Sequence, residues 1–371
     1  MTAAVPQRRV PVVVTGLGVL SALGRGPEPL LAAAAAGDAA FGAVGRFDVA
    51  ARRTRRAAHL PGPAPRLAEA LLDAIGDALG QSDSGTPPGG LLLALHSDTL
   101  TGAVVQEVTA RARDRHGIDG TVRTYTGACV ASSSALADAA AAIAFGRAER
   151  LVVAAGYLVE PDTFAVFDAG GALSRDGEVR PFSRDRRGLL LGDGVAAAVL
   201  ESADSAHLRG ATPLATLAGW GRSGDGHHVS RPDPEGTGLA RAVTAALTRA
   251  GLRPDDIGYV NANAPGSVLG DVSEARALRT VFGDRLADLP VSSTKSVHGH
   301  ALEASALLEF VLTVHALRSG RLPVNAGYLA PDAECPLNLV LTPTTVHPPS
   351  HALTLNAAFG GANTALLIGA A

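Results

Sequence analysis

An α/β fold, with sheets covered by helices on both faces, is what this sequence predicts, on three observations. Short β-rich runs alternate with segments of helical apolar spacing along the whole chain. Hydrophobic residues fill 47% of the 371 positions and charged ones only 18%, which suits strands buried on both sides. Ala and Gly dominate while aromatics make up 4%, so the helices must pack closely on small side chains.

The elements follow in order. Residues 10–14 read as a strand, ended by Gly16 and Gly18 as a turn. A helix is expected over 27–36, ended by Gly37, and another over 67–79, where apolar residues recur at helical spacing. A Pro/Gly loop at 85–90 leads to a strand at 91–95 and a helix at 104–116. The Ala-rich run from Ser132 to Arg147 reads as a helix; Ser and Asp interrupt it, so it is a buried helix and not a membrane span. Strands follow at 151–155 and 189–200, the latter broken at Gly192-Asp-Gly194. That break lacks the Lys-Ser/Thr of a phosphate loop. A second half begins at 216–220. It continues with a helix at 238–250, a strand at 257–262, a helix at 272–281 and a strand at 290–293. A long helix over 300–317 and strands at 353–356 and 364–367 close the chain.

Composition narrows the function. A formal charge of −3 offers no argument for nucleic acid. Two cysteines far apart make no disulfide framework, and a reducing cytoplasm fits best. The first residues run straight into a strand without a signal-peptide core, and no stretch of about 20 uncharged apolar residues suggests a membrane.

The chemistry centres on Cys129, in Tyr125-Thr-Gly-Ala-Cys-Val-Ala-Ser-Ser-Ser-Ala-Leu136, a small-residue turn before the buried helix. A thiol at a helix start meets the positive end of the dipole, which favours thiolate. Downstream lie Tyr259-Val-Asn-Ala-Asn-Ala-Pro-Gly-Ser-Val-Leu-Gly-Asp271 and Ser293-Thr-Lys-Ser-Val-His-Gly-His300. Together these segments resemble the β-ketoacyl synthases of the thiolase fold, the condensing enzymes of fatty-acid and polyketide assembly. The likeness runs in register along nearly the whole chain. It extends from Val12-Val-Val-Thr-Gly-Leu-Gly-Val-Leu-Ser-Ala-Leu-Gly24 through Phe167, Ala172-Leu-Ser174, Arg180-Pro-Phe-Ser-Arg184, Gly270-Asp271 and Cys335-Pro-Leu-Asn-Leu-Val340 to Phe359-Gly-Gly-Ala-Asn363.

The resemblance implies a thiolase-like fold of two similar halves, about 1–210 and 211–371, with mixed sheets layered between helices as α-β-α-β-α. It implies that Cys129 takes an acyl group from an acyl carrier protein, whose phosphopantetheine arm brings it in, so no resident cofactor is expected. His300 would be one donor to the enolate formed when malonyl loses CO2, with Lys295 ordering the site. The backbone N–H groups of Cys129 and of the Ala358–Phe359 loop would form the oxyanion hole. A dimer follows, with itself or with another ketosynthase-family subunit.

The departures carry the functional question. Asn263 stands where the family has histidine, and an amide donates a hydrogen bond but carries no proton near neutral pH. Losing one well-aligned donor costs on the order of 10²–10³ in rate, so decarboxylation should be weakened. Ala357 stands where the family has a gate phenylalanine. Between Leu95 and Thr121 the chain is short for the family. After His300 the family's Gly-Ala-Ala-Gly becomes Glu303-Ala-Ser-Ala306, so Glu303 either bonds His300, acts as a new base, or fills space. His298 and His300 lack acidic or thiol partners at ligand spacing, so no metal is expected. His227 and His228 read as exposed. The basic run Arg52, Arg53, Arg55 and Arg56 is either a solvated face or a docking patch for an acidic carrier protein. Two readings therefore stand. One is an acyltransferase with altered condensation. The other is a non-catalytic partner similar to the chain-length factors of bacterial type II polyketide systems, in which a well-known pattern puts glutamine at the cysteine position.

Overall fold

The computed structural model describes residues 9–82, 86–98 and 100–371. The first eight residues, on which the expectation about a signal peptide rests, and Gly85 of the expected loop lie outside the described residues. Among the described residues no helix is long and apolar enough to cross a membrane.

Two sets of five strands share one plan. The first comprises β1 (Val12–Ser21), β2 (Gly90–Leu95), β3 (Thr121–Tyr125), β4 (Arg150–Tyr157) and β5 (Gly194–Ser202), in the spatial order β3-β2-β4-β5-β1. The second comprises β6 (Ala215–Gly224), β7 (Tyr259–Asn261), β8 (Pro290–Ser292), β9 (His351–Ala357) and β10 (Ala362–Gly369), in the order β8-β7-β9-β10-β6. Each set pairs its first three strands in parallel and the rest antiparallel. The duplication that residue identity hides is thus plain in strand order and sense. Val13 opposite Thr216 and Val14 opposite Ala215 join the two sets into one continuous sheet.

Helices complete five layers. Helices α1 (Leu67–Gln81) and α2 (Thr101–His116) cover the outer face of the first set. Helices α4 (Thr237–Ala250) and α5 (Val268–Phe282) cover that of the second. Between the sets lie α3 (Ala131–Ala144) and α6 (Ser305–Ser319), packed on strands of both and on each other. A helix enclosed this way must be apolar or small all round, and 10 of 14 residues of α3 and 12 of 15 of α6 are buried.

Three sequence expectations are corrected. Gly16 and Gly18 do not end the first strand; they lie inside β1. A Cβ on either would run into the backbone oxygens of Ala78 or Ala74 in α1. Gly219 and Gly221 play the same part in β6 against Ala246 and Ala242 of α4. These glycines let a helix sit directly on its strand, a close-approach role that resembles a turn signal in sequence. His300 is not on the long helix, which starts only at Ser305. Gly299 at φ 77° turns the chain, and the His300 backbone bridges to Leu190 and Gly192 instead. Strand β5 starts at Gly194, because residues 189–191 make only isolated bridges on their way past the site. The short 95–121 region holds α2 and ends at β3, an edge strand whose largely exposed residues show no apolar alternation to read.

Candidate active site

Cys129 sits in a one-turn segment, Ala128–Val130, between β3 and α3. Ala128 holds φ 52°, a left-handed value that non-glycine residues rarely adopt. This sharp turn presents the thiol at the head of α3, as the sequence implies. The expectation of an easily ionised thiol is overturned. Burial, then the nearby Glu303 carboxylate, push Cys129 up to about 12, and Lys295 only partly opposes them. Desolvation wins over the helix terminus.

The loops after β7 and β8 supply the partners. The backbone N–H groups of Asn263 and Ala264 both bond to Glu274, at 2.7 Å each, which fixes the loop after β7. Lys295 is buried; its Nζ donates to Asn263 Oδ1 at 3.1 Å and forms a salt bridge with Glu309 at 2.5 Å. An ammonium only donates, so it must face the amide oxygen. The Asn263 NH2 is thereby left as a donor to whatever lies opposite. His300 Nδ1 accepts from the Leu302 backbone N–H at 3.0 Å and lies 3.1 Å from Ser305 Oγ. The Leu302 amide is a donor only, so the ring proton sits on Nε2. Burial and the Lys295 charge hold His300 well below its usual range, so it is a neutral donor. Neutral His300 and Asn263 therefore offer two N–H donors without a net charge.

Cys129, Asn263 and His300 meet at one cavity of about 440 Å³, with Ala357, Phe167 and Phe359 among its walls. Phe359 is exposed, and its ring lies 6.2 Å from that of Phe167. Ala357, small and partly exposed, lines the same cavity. The Ala358 amide is committed to Ala362 O at 2.9 Å. A wider surface groove of about 630 Å³ runs along α4, lined by Arg and Thr side chains, and carries neither thiol nor imidazole.

Comparison with known proteins agrees with this layout. Residues 91–206 match the β-ketoacyl synthase N-terminal domain, and residues 214–328 match the C-terminal domain. The chain belongs to the β-ketoacyl synthase family. It is 41% identical over 253 residues to nodulation protein E of Rhizobium leguminosarum bv. trifolii, covering 67% of this chain and 62% of that protein. It is 32% identical over 277 residues to 3-oxoacyl-[acyl-carrier-protein] synthase 2 of Staphylococcus aureus, covering 73% of this chain and 66% of that one. The match thus spans about three fifths of the Rhizobium relative. The ishigamide ketosynthase/chain length factor superposes at TM-score 0.89 and 26% identity, covering 98% of this chain and 100% of the other.

Other residues singled out in sequence fall around this ketosynthase-type cavity without lining it. Glu303 neither lines it nor bonds His300; its Oε1 lies 3.1 Å from His96 Nδ1. His298 is buried at 3.2 Å from Thr294, and burial takes it down to about 3. The basic run packs against the segment that follows Phe167: the Arg53 backbone N–H bonds Asp168 and its guanidinium bonds Ala169 O. Arg55 bonds Ala50 O, while Arg56 bonds Gly177 O and Phe41 O and pairs with Glu178. Most of that charge is therefore tied to the chain itself. Sequence reading missed Glu309, which anchors Lys295, and Arg187 and Arg231, which line the cavity. Only the apolar run of α6 could have flagged Glu309, as a charge at a buried position.

Proposed function

We propose that this chain is a ketosynthase-family acyltransferase acting on acyl carrier protein thioesters in polyketide or fatty-acid assembly. Cys129 attacks the thioester carbonyl, the Cys129 and Phe359 N–H groups hold the oxyanion, and the pantetheine thiol leaves. His300 Nε2–H and the Asn263 amide face the enolate that malonyl decarboxylation would form. Asn263 and its neutral amide make that second step slower than the first. The observation that carries this reading is that the thiol and both N–H donors line one cavity. Similarity to the 3-oxoacyl-[acyl-carrier-protein] synthase 2 of Staphylococcus aureus supports carrier-protein thioesters as substrates, and the carrier's phosphopantetheine arm would deliver them. We also propose a dimer, a cytoplasmic location, a division near residues 210 and 211, and carrier docking near Arg52, Arg53, Arg55 and Arg56.

A second reading is favoured by the thiol's displacement to about 12 together with Asn263. It makes the chain a non-catalytic subunit that shapes the tunnel of an intact ketosynthase, as a chain-length factor does. Intact-protein mass spectrometry with carrier proteins bearing different acyl chains separates the two. A Cys129-dependent adduct, lost in Cys129→Ala, supports the acyltransferase. No adduct, with chain-length effects appearing only when an intact ketosynthase is added, supports the subunit.

A further inference from the structure

Behind the cavity lies a second group of ionisable side chains that the reading above leaves unused. Glu303 sits in the short turn Leu302–Ala304, which packs against the Ala128–Val130 turn of Cys129. Its side chain is 4% exposed. Oε1 meets His96 Nδ1 at 3.1 Å, and Oε2 has no hydrogen-bond partner among the described residues. His96 follows β2 directly and is 31% exposed, so its ring reaches from Glu303 to solvent. The His96 ring stands edge-on to Tyr157, 6.0 Å away, whose hydroxyl is also buried. The family motif has glycine at the Glu303 position, so this carboxylate is a departure of the present chain.

Acylation of Cys129 releases a proton, and the groups lining the cavity are poor acceptors for it. His300 already carries its proton on Nε2, with Nδ1 occupied by the Leu302 N–H. Asn263 is no base. Both oxygens of Glu274 hold backbone N–H groups, and those of Glu309 face Lys295 and Asn356. Among the described residues Glu303 Oε2 and Glu309 Oε1 both lack a hydrogen-bond partner, but Glu309 Oε1 lies 2.5 Å from Lys295 Nζ, so Glu303 Oε2 is the one of these oxygens with neither hydrogen bond nor ion pair.

We infer that Glu303 and His96 form an acid–base pair serving Cys129, in which Glu303 takes the thiol proton and His96 exchanges it with solvent. As sulfur attacks the thioester carbonyl, the S–H bond breaks and an O–H bond forms on Glu303. The imidazolium of His96 releases its proton to water and then takes the one that Glu303 holds. The departing pantetheine thiolate takes a proton from water, so the exchange balances. His96 acts through Glu303 and is a positioning residue. The charged groups facing the pair are Asp98 and Glu160 on the His96 side, with Tyr157 beside them, and Lys295 and Glu309 on the Cys129 side. They agree with the assignment: the Glu303 hydrogen bond raises His96 above its usual range, and the Glu303 charge opposes ionisation of Cys129.

The inference rests on acylation of Cys129, and its test keeps the two apart. The full chain and its Glu303→Gln and His96→Gln variants are treated with an acyl N-acetylcysteamine thioester and, separately, with iodoacetamide, and Cys129 adducts are followed by mass. Glu303→Gln should slow acylation about 100-fold at neutral pH, the scale of a lost general base. The same change should speed alkylation, because a negative neighbour has gone. His96→Gln should displace the pH profile of acylation and leave Glu303 buried in place. Acylation of Glu303→Gln at the wild-type rate would overturn the pair while leaving the acyl-enzyme reading intact. So would a parallel loss of both reactions, which marks a structural role. A wild-type thiol that alkylates but never acylates overturns the acyl-enzyme reading and the pair together. Should Glu303→Gln fail to fold, the His96→Gln profile decides: a displaced profile supports the pair and an unmoved one overturns it.

Discussion

Replacing Lys295 by Met tests the electrostatic support of the site. Lys295 and Glu309 are 1% and 0% exposed and stand 2.5 Å apart, so removing the ammonium leaves a carboxylate in the interior. Breaking a buried pair from one side costs about 3–5 kcal/mol. At roughly 2–4 °C per kcal/mol, the range for somewhat shorter chains, melting should fall by about 6–20 °C at most. The sign with pH follows from Glu309. Burial already raises its carboxyl above the usual range despite Lys295, and without the cation it rises further. A carboxyl raised in the folded state binds protons the unfolded chain does not hold, so its stability is full below the unfolded value and declines as pH rises through the folded one. The deficit of Lys295→Met should therefore grow from about pH 5 upward, by at most about 1.4 kcal/mol per pH unit. Calorimetric melts across that range measure it. Adding Glu309→Gln, which can keep a contact to Asn356, should recover most of the loss. A wild-type melting point for Lys295→Met, or a deficit that ignores pH, would refute the reasoning.

Four further outcomes follow from the same geometry. Asn263→His should raise malonyl decarboxylation, by up to on the order of 10²–10³ if only that donor is missing; no gain in released CO2 would show that more of the pocket is lost. Ala357→Phe should slow loading of long or bulky acyl chains and spare short ones; unchanged loading by mass spectrometry removes Ala357 from the gate. Alkylation of Cys129 should climb about tenfold per pH unit through pH 10, since only thiolate reacts and the thiol sits near 12; a plateau near pH 8.5 would mean the thiol is solvated. Gly18→Ala should cost at least about 1–3 kcal/mol in denaturant unfolding, because the new Cβ meets the backbone of Ala74.

Much of the fold was legible because its elements differ in period and punctuation. The helices near 67–79 and 238–250, and the strands near 91–95 and 353–356, stand within a few residues of their predicted bounds. What failed to read was tertiary. Gly16 and Gly18 signal a turn locally, and only the arrival of α1 on β1 shows that they are contact points. Edge strand β3 has no buried face to imprint a pattern. Around the site, the resemblance to the family brought out Cys129, Asn263, Lys295 and His300. Their charge states did not follow from it, because desolvation depends on layers supplied by distant parts of the chain. Glu309 and His96 were silent for the same reason: each matters through a partner far away in sequence, Lys295 in one case and Glu303 in the other.

The departures from the family act in one electrostatic direction. Lys295 bonds Asn263, and Glu309 balances it at 2.5 Å. Glu303 adds a negative charge where the family has glycine, and its counterion His96 lies on the solvent side of it. His300 is held neutral, and Asn263 removes the one other position at which the family could place an imidazolium. This balance opposes ionisation of Cys129, although Arg187 and Arg231 also line the cavity. Attack on a neutral acyl thioester then needs something that takes the thiol proton as it reacts. On the proposed pairing, the same charge that opposes the thiolate at rest would take the thiol proton during attack. On the two proposals above, Asn263 and Glu303 would be complementary changes: one would weaken the step that creates an enolate, and the other would support the step that only moves an acyl group.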